Sequence, residues 1–187
     1  AIQAVLSLVE PQSSGLGGGA FLMTYDAKTG EVAQYDGREM APSAATPEMF
    51  YESGRPLPFI DGVLSGRSTG APGVVAMMGM AHEEQGKLAW NRLFVEAETL
   101  ARDGFIVSPR LAGYINSGRN QAVTEWATRY FTKPDGTRYQ AGERLVNAEY
   151  AETVRRLANE GPSVFYQGEL PQKIIEAVQS NPRPGLL

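Results

Sequence analysis

The sequence predicts an α+β fold, in which an N-terminal helix and a β-hairpin are followed by a mostly helical region. Two observations carry this prediction. Short β-compatible runs joined by turn residues occupy residues 20–36, and apolar residues recur every three or four positions through most of residues 72–178. The chain has 187 residues, 42% hydrophobic and 20% charged, which is the composition of a globular protein of about one domain. We therefore expect residues 1–187 to form a single domain.

The N-terminal part is expected to contain a helix, a glycine-rich loop and the hairpin. Residues 1–9 are apolar and helical in character but lack a capping residue, so we expect the chain to start inside a helix and to be a piece of a longer protein. Residues 15–19 contain four glycines, which predicts a tight loop. The strands are expected at residues 20–26 and 31–36, and Gly30 suits a left-handed position between them.

Residues 38–68 separate the hairpin from the helical region. They are rich in proline, glycine, serine and alanine and have no sustained periodicity, so we expect a long, ordered excursion without regular structure. Segments of this length usually serve a site or an interface.

The remaining helices are predicted from apolar spacing and from residues that begin or end helices. Ser108 and Asn147 are expected to cap helix N-termini, and Gly104 and Gly161 to follow helix C-termini. The predicted helices cover residues 72–85, 90–101, 109–115, 123–130, 148–158 and 171–178.

Charge and composition exclude several classes of function. The 17 Lys and Arg residues against 21 Asp and Glu give a net charge of −4, so the chain offers no basic surface for nucleic acid. It contains no apolar run of the roughly 18–20 residues that span a bilayer, and no export signal opens it. With no cysteine and a single histidine, disulfides, thiol nucleophiles and histidine-rich metal sites are also excluded.

Three motifs that resemble catalytic or binding sites have simpler structural explanations. Residues 15–20 fit the glycine pattern of a dinucleotide-binding loop, but a helix is predicted before them and a strand after them, the reverse of the required order. Ser13 and Ser14 could act as nucleophiles only with a base, and nothing ties them to His82. Hydrogen bonding within a turn is the favoured role of the serines, and stabilisation at a helix end that of His82.

Arg38 is the strongest candidate for a binding residue on local grounds. It lies where the second strand is expected to end and the long excursion to begin, a position from which a side chain can reach a cleft. Its guanidinium can hold a carboxylate through two parallel hydrogen bonds. A salt bridge to Asp36, Glu39 or Asp61 would explain it equally well, so composition and pattern leave both interpretations open.

Several motifs in order along the chain resemble the large subunit of γ-glutamyltranspeptidases. The similarity spans essentially the whole chain and is more specific than any single glycine loop. It is carried by VEPQSSGLGGG at residues 9–19, YDAKTG at 25–30, DGREMAP at 36–42, ATPEMF at 45–50, GAPGVV at 70–75, DGFIVSPRL at 103–111 and GPSVFYQG at 161–168.

The resemblance implies an N-terminal nucleophile hydrolase, with an αββα sandwich made as a precursor that cuts itself into two subunits. The nucleophile would be a Thr at the start of the small subunit, activated by its own α-amine, so this chain would hold no catalytic residue and need no cofactor. Residues 1–187 would be an incomplete part of the large subunit, inactive alone. Its partners would be the small subunit of the same precursor and γ-glutamyl compounds, with no metal or nucleic acid.

The activity implied is the transfer of a γ-glutamyl group from glutathione or a related compound to water, an amino acid or a peptide, through a γ-glutamyl-enzyme ester. By its position in DGREMAP, Arg38 corresponds to the residue that binds the α-carboxylate of the substrate. The family also suggests a periplasmic or secreted protein. Two alternatives remain: an amide hydrolase of the cephalosporin-acylase type, which takes a glutaryl group, and a non-catalytic relative.

Overall fold

The computed structural model describes the backbone of all 187 residues and every side chain except that of Asn120. Its eight α-helices are α1 Ile2–Val9, α2 Phe59–Val63, α3 Val74–Gln85, α4 Val95–Asp103, α5 Pro109–Ile115, α6 Glu125–Phe131, α7 Ala148–Glu160 and α8 Glu169–Gln179. Its six strands are β1 Ala20–Tyr25, β2 Val32–Gly37, β3 Tyr51–Glu52, β4 Arg55–Pro56, β5 Phe105–Ile106 and β6 Arg144–Leu145. The predicted N-terminal helix, hairpin and mostly helical remainder are confirmed.

Contacts within the chain divide it into two compact units. The first comprises residues 1–15 and 92–158, and the second comprises residues 16–91 and 159–187. The strands pair as three antiparallel ladders, β1 with β2, β3 with β4 and β5 with β6. The expectation that residues 1–187 form one incomplete domain stays a prediction.

The first unit is built around an apolar cluster to which α1, α4, α5, α6 and α7 contribute. Its fully buried members include Leu8 of α1 and Leu111 and Ile115 of α5. Both predicted caps of this unit are confirmed. The Leu111 amide donates to Ser108 Oγ at 3.0 Å, and the Tyr150 amide donates to Asn147 Oδ1 at 2.9 Å.

The second unit contains the hairpin, and α3 packs on β2. The register pairs Ala20 with Gly37 and Tyr25 with Val32, and Gly30 has φ +78°, as the predicted left-handed position requires. Val74 and Val75 of α3 are completely buried. These contacts fix the end of β2, from which Arg38 projects.

The structure corrects two predicted helices and the excursion. The helix predicted at 90–101 is a 3-10 turn over Trp90–Leu93 followed by α4, an arrangement that is common where α-helices begin. The helix predicted at 123–130 is a 3-10 turn over Asn120–Val123 followed by α6, in which Trp126 is 66% exposed and its ring lies under the Arg129 guanidinium. Residues 38–68 contain regular structure after all, in β3, β4 and α2, which are too short for a periodic pattern to appear in the sequence.

No helix in the described part of the chain is both long and apolar enough to cross a membrane.

Candidate functional site

The backbone on both sides of Arg38 is held in place by hydrogen bonds. Its own amide donates to Asp36 Oδ1 at 2.9 Å. Two residues later, Met40 and Ala71 exchange a pair of backbone hydrogen bonds, of 3.1 and 2.8 Å. The segment therefore has little freedom, and what remains movable at Arg38 is its side chain.

Glycines allow the neighbouring backbone to approach this segment closely. A Cβ atom on Gly19 would lie 2.5 Å from the Glu39 amide nitrogen, and one on Gly73 would lie 2.5 Å from the Gly37 carbonyl oxygen and 2.8 Å from that of Arg38. The glycine-rich loop also binds the start of α3, since the carbonyl of Gly18 accepts from the amides of residues 73 and 74 at 3.2 Å. These glycines therefore have a structural role in holding Arg38.

The Arg38 guanidinium faces solvent beside one carboxylate. Its side chain is 65% exposed, and its Nε lies 3.4 Å from Glu39 Oε1. Of the other two carboxylates considered from the sequence, Asp36 accepts the Arg38 amide, and Asp61 pairs with Arg183 at 3.3 Å. An ion pair as exposed as Arg38 with Glu39 contributes about 0–1 kcal/mol, so a ligand carboxylate can displace Glu39 at little cost.

Chemically, this arrangement provides a carboxylate-binding cation on a fixed support. An arginine fork can donate two parallel hydrogen bonds to one carboxylate. A fixed backbone reduces the entropy lost when the side chain binds a ligand. That Arg38 binds substrate stays a prediction.

The glycine-rich loop and the two serines lie in the local structures that the sequence analysis predicts for them. The glycine-rich loop follows α1 and precedes β1, the order that argues against a dinucleotide site. The amides of Ser13 and Ser14 donate to the Glu10 carbonyl at 2.9 and 3.1 Å, which forms a turn after α1.

His82 lies in the last turn of α3 and packs locally. Its Nε2 is 2.7 Å from the Leu88 carbonyl oxygen, and its ring meets that of Trp90 edge to face at 5.2 Å. Among the described residues, no group of three or more His, Cys, Asp or Glu side chains is arranged to hold a metal ion.

A second set of charged residues, which sequence reasoning did not find, fixes the excursion that follows Arg38. Arg67 Nη1 donates to the Met49 carbonyl at 3.1 Å, and Arg67 Nη2 lies 3.1 Å from Glu52. Arg183 pairs with Glu52 and Asp61, both at 3.3 Å. Arg183 lies more than 100 positions from these partners, and no local pattern in the sequence marks such a pairing.

Comparison with known proteins identifies relatives along the entire chain. Residues 1–187 match the family described as gamma-glutamyltranspeptidase. A glutathione hydrolase proenzyme of Bacillus subtilis (strain 168) is 33% identical over 180 residues, which are 96% of this chain and 30% of that protein. The glutathione hydrolase proenzyme of Escherichia coli (strain K12) is 32% identical over 97% of this chain and 31% of its own length. The chain thus spans about 30% of the length of these curated relatives.

Solved structures show the same relationship. The gamma-glutamyltranspeptidase of Helicobacter pylori superposes with a TM-score of 0.88 at 30% identity, over 96% of this chain and 52% of that one. A cephalosporin acylase of Bacillus halodurans gives a TM-score of 0.76 at 25% identity, over 94% of this chain and 33% of that one. These likenesses confirm the expected fold class. The match of the whole sequence and the agreement of the folds place this chain in the gamma-glutamyltranspeptidase family.

Proposed function

We propose that the protein containing this chain transfers γ-glutamyl groups from glutathione and related compounds to water or to an amine. Residues 1–187 are then part of its large subunit. The observation that carries the proposal is Arg38 within the DGREMAP motif, exposed on a backbone that hydrogen bonds and close glycine contacts hold in place. The two glutathione hydrolase relatives support the activity, and their description as proenzymes supports a self-cleaving precursor.

In the proposed reaction Arg38 binds the α-carboxylate of the donor, and Glu39 gives up its ion pair to it. This places the γ-carbonyl carbon before the nucleophile, which the family resemblance assigns to a Thr of the small subunit. The Thr oxygen forms an ester bond to that carbon, the C–N bond breaks, and the amine departs with a proton supplied through the Thr α-amine. Water or an acceptor amine then attacks the ester and releases the γ-glutamyl group.

The alternative of a cephalosporin-acylase-type hydrolase has one specific observation behind it, the structural likeness to the Bacillus halodurans enzyme. A glutaryl group also carries a carboxylate that Arg38 could bind. The identity and TM-score with the Helicobacter pylori enzyme are both higher, which favours the γ-glutamyl donor. Parallel assays with a γ-glutamyl anilide and a glutaryl anilide separate the two functions.

The test of Arg38 compares the whole protein with its Arg38→Ala and Arg38→Lys variants in release of the anilide from a γ-glutamyl anilide. Losing a charge-assisted contact lowers kcat/KM by about 30-fold or more, and lysine restores only part of it because it lacks the fork. Arg55→Ala is the matched control, since Arg55 is also exposed and lies in β4 of the same unit.

Two results would contradict the proposal. Anilide release by Arg38→Ala at the wild-type rate would remove Arg38 from substrate binding but leave the activity. A correctly cleaved wild-type protein that releases no anilide would refute the γ-glutamyl activity itself.

A further inference from the structure

We propose that Tyr166 is a positioning residue for Arg38, because its hydroxyl caps the helix whose first turn lies against the Arg38 backbone. This inference rests on the proposed function. Tyr166 belongs to GPSVFYQG at residues 161–168, a segment that carries the family resemblance but lies far from Arg38 in the sequence. The Ala76 amide of α3 donates to Tyr166 Oη at 2.9 Å, across 90 positions of the chain.

The first turn of α3 packs directly on the end of β2. Gly73 precedes the helix, and a Cβ atom there would lie 2.5 Å from the Gly37 carbonyl oxygen and 2.8 Å from that of Arg38. Four residues later Met77 packs at the same place, since a Cβ atom on Gly37 would lie 2.5 Å from Met77 Cβ. A shift of this turn therefore displaces the backbone of Gly37 and Arg38.

The same close contact leaves α3 without a cap from its own N-terminus. The first amides of an α-helix have no partner carbonyl within the helix, and the residue before the helix usually supplies a side-chain acceptor for the second or third of them. Gly73 is at that position, and a side chain there would meet the Gly37 carbonyl. The Gly18 carbonyl accepts from the amides of residues 73 and 74 only at the very start of the turn. The third amide, that of Ala76, needs an acceptor from elsewhere.

Tyr166 supplies this acceptor. Ala76 is the third residue of α3, so Tyr166 Oη takes the place that the oxygen of a serine or aspartate cap has in other helices. The glycine that allows the helix to approach Arg38 and the tyrosine that caps the helix are therefore two parts of one arrangement. Loss of the hydroxyl leaves the Ala76 amide without this partner and loosens the turn that lies against Arg38.

Tyr166 reaches the helix from an anchored segment. A Cβ atom on Gly79 would lie 2.6 Å from Pro162 Cγ, so the turn before Tyr166 packs closely on α3. The Tyr166 amide donates to the Ser163 carbonyl at 3.0 Å, and its ring meets that of the buried Phe165 edge to face at 5.7 Å. Replacing tyrosine by phenylalanine keeps these contacts and removes the hydroxyl alone.

The experiment measures release of the anilide from a γ-glutamyl anilide by the whole protein and its variants. Tyr166→Phe is expected to lower kcat/KM about 3- to 10-fold, the effect of losing one helix cap, and mainly by raising KM, because Arg38 binds the donor. The same substitution in an Arg38→Ala background is expected to change kcat/KM by less than about twofold, because the guanidinium that Tyr166 positions is gone. A purely structural tyrosine would have the same effect in both backgrounds.

Tyr35→Phe is the matched control. The Tyr35 hydroxyl also bonds to α3, but in its last turn, where it donates to Glu84 Oε2 at 2.6 Å and accepts from Gln85 Nε2 at 2.7 Å. Its loss is expected to lower the melting temperature and to leave kcat/KM unchanged, since the contacts of α3 with Gly37 and Arg38 are in the first turn.

The outcomes separate the positioning role from the proposed function. A folded Tyr166→Phe variant with the wild-type KM would overturn the role of Tyr166 and leave the activity intact. An equal fall of kcat/KM in the Arg38→Ala background, or in Tyr35→Phe, would attribute the effect to general loss of stability and would also overturn it. If the wild-type protein releases no anilide, the proposed function fails and this inference fails with it.

Discussion

Gly73→Ala is expected to disturb the support of Arg38 without touching its side chain. The added Cβ would lie 2.5 Å from the Gly37 carbonyl oxygen and 2.8 Å from the Arg38 carbonyl oxygen, closer than such atoms come in folded proteins. Both obstacles are backbone atoms, so no side chain can rotate away to relieve the contact. The backbone of Arg38 must therefore shift.

The magnitude follows from the cost of overpacking. Forcing atoms into a packed interior costs about 1–3 kcal/mol, which for a unit of about 100 residues lowers the melting temperature by roughly 4–8 °C per kcal/mol. The shift also displaces the Arg38 guanidinium, so KM for a γ-glutamyl donor rises. Gly73 has φ −110°, so its backbone conformation is open to alanine and the effect is purely steric.

Gly113→Ala provides the control. Gly113 lies inside α5, and nothing is within 4 Å of the position its Cβ would occupy. Replacing glycine by alanine inside a helix stabilises it by up to about 1 kcal/mol. The assay records the melting temperature and KM of both variants in the whole protein. A Gly73→Ala variant as stable as Gly113→Ala, with an unchanged KM, would refute the argument that close glycine contacts hold the Arg38 backbone.

Two further predictions follow from single contacts. Glu39→Gln removes the carboxylate that competes for the Arg38 guanidinium, so KM for a γ-glutamyl donor should fall by about 2- to 5-fold in steady-state kinetics, and a rise would show that Glu39 helps to bind substrate. Burial raises the pKa of Tyr150 to about 12 in the folded protein, above its ordinary value near 10. The neutral form of Tyr150 is therefore favoured by folding. Its contribution to the free energy of unfolding is fully present below about pH 10 and is lost as the pH rises towards 12. Alkaline melting curves of wild type and Tyr150→Phe should converge over this range, and parallel curves would contradict the assignment.

Elements with strong local signals could be predicted from the sequence, and those set by distant contacts could not. Ser108 and Asn147 were recognisable as caps because the bonds they accept come from amides three residues away. Gly30 was recognisable because a tight hairpin loop requires a left-handed residue. The exposure of Trp126 does not follow from the sequence, because helical spacing identifies a face of a helix and does not show whether that face turns towards the core or towards solvent.

The candidate site, too, could be predicted from the sequence only in part. Arg38 could be singled out from its position after a strand and from the motif around it. Its actual partner among three nearby carboxylates could not, because the choice depends on Arg183, which takes Asp61, and on the Arg38 amide, which takes Asp36. Charged pairs between distant segments carry no periodic signature in the sequence.

Three of the segments that carry the family resemblance meet at the backbone of Arg38, although they are far apart in the sequence. Gly18 and Gly19 end the first motif, residues 36–42 form the second, and residues 70–75 contain the glycine that lies against Gly37 and Arg38. Their spacing in the chain has no local meaning, yet each supplies a backbone that must come within contact distance of the same arginine. The need for glycine at positions 19 and 73 is therefore a consequence of packing these backbones against that of Arg38, which gives a physical reason for motifs that would otherwise only be recognised by resemblance.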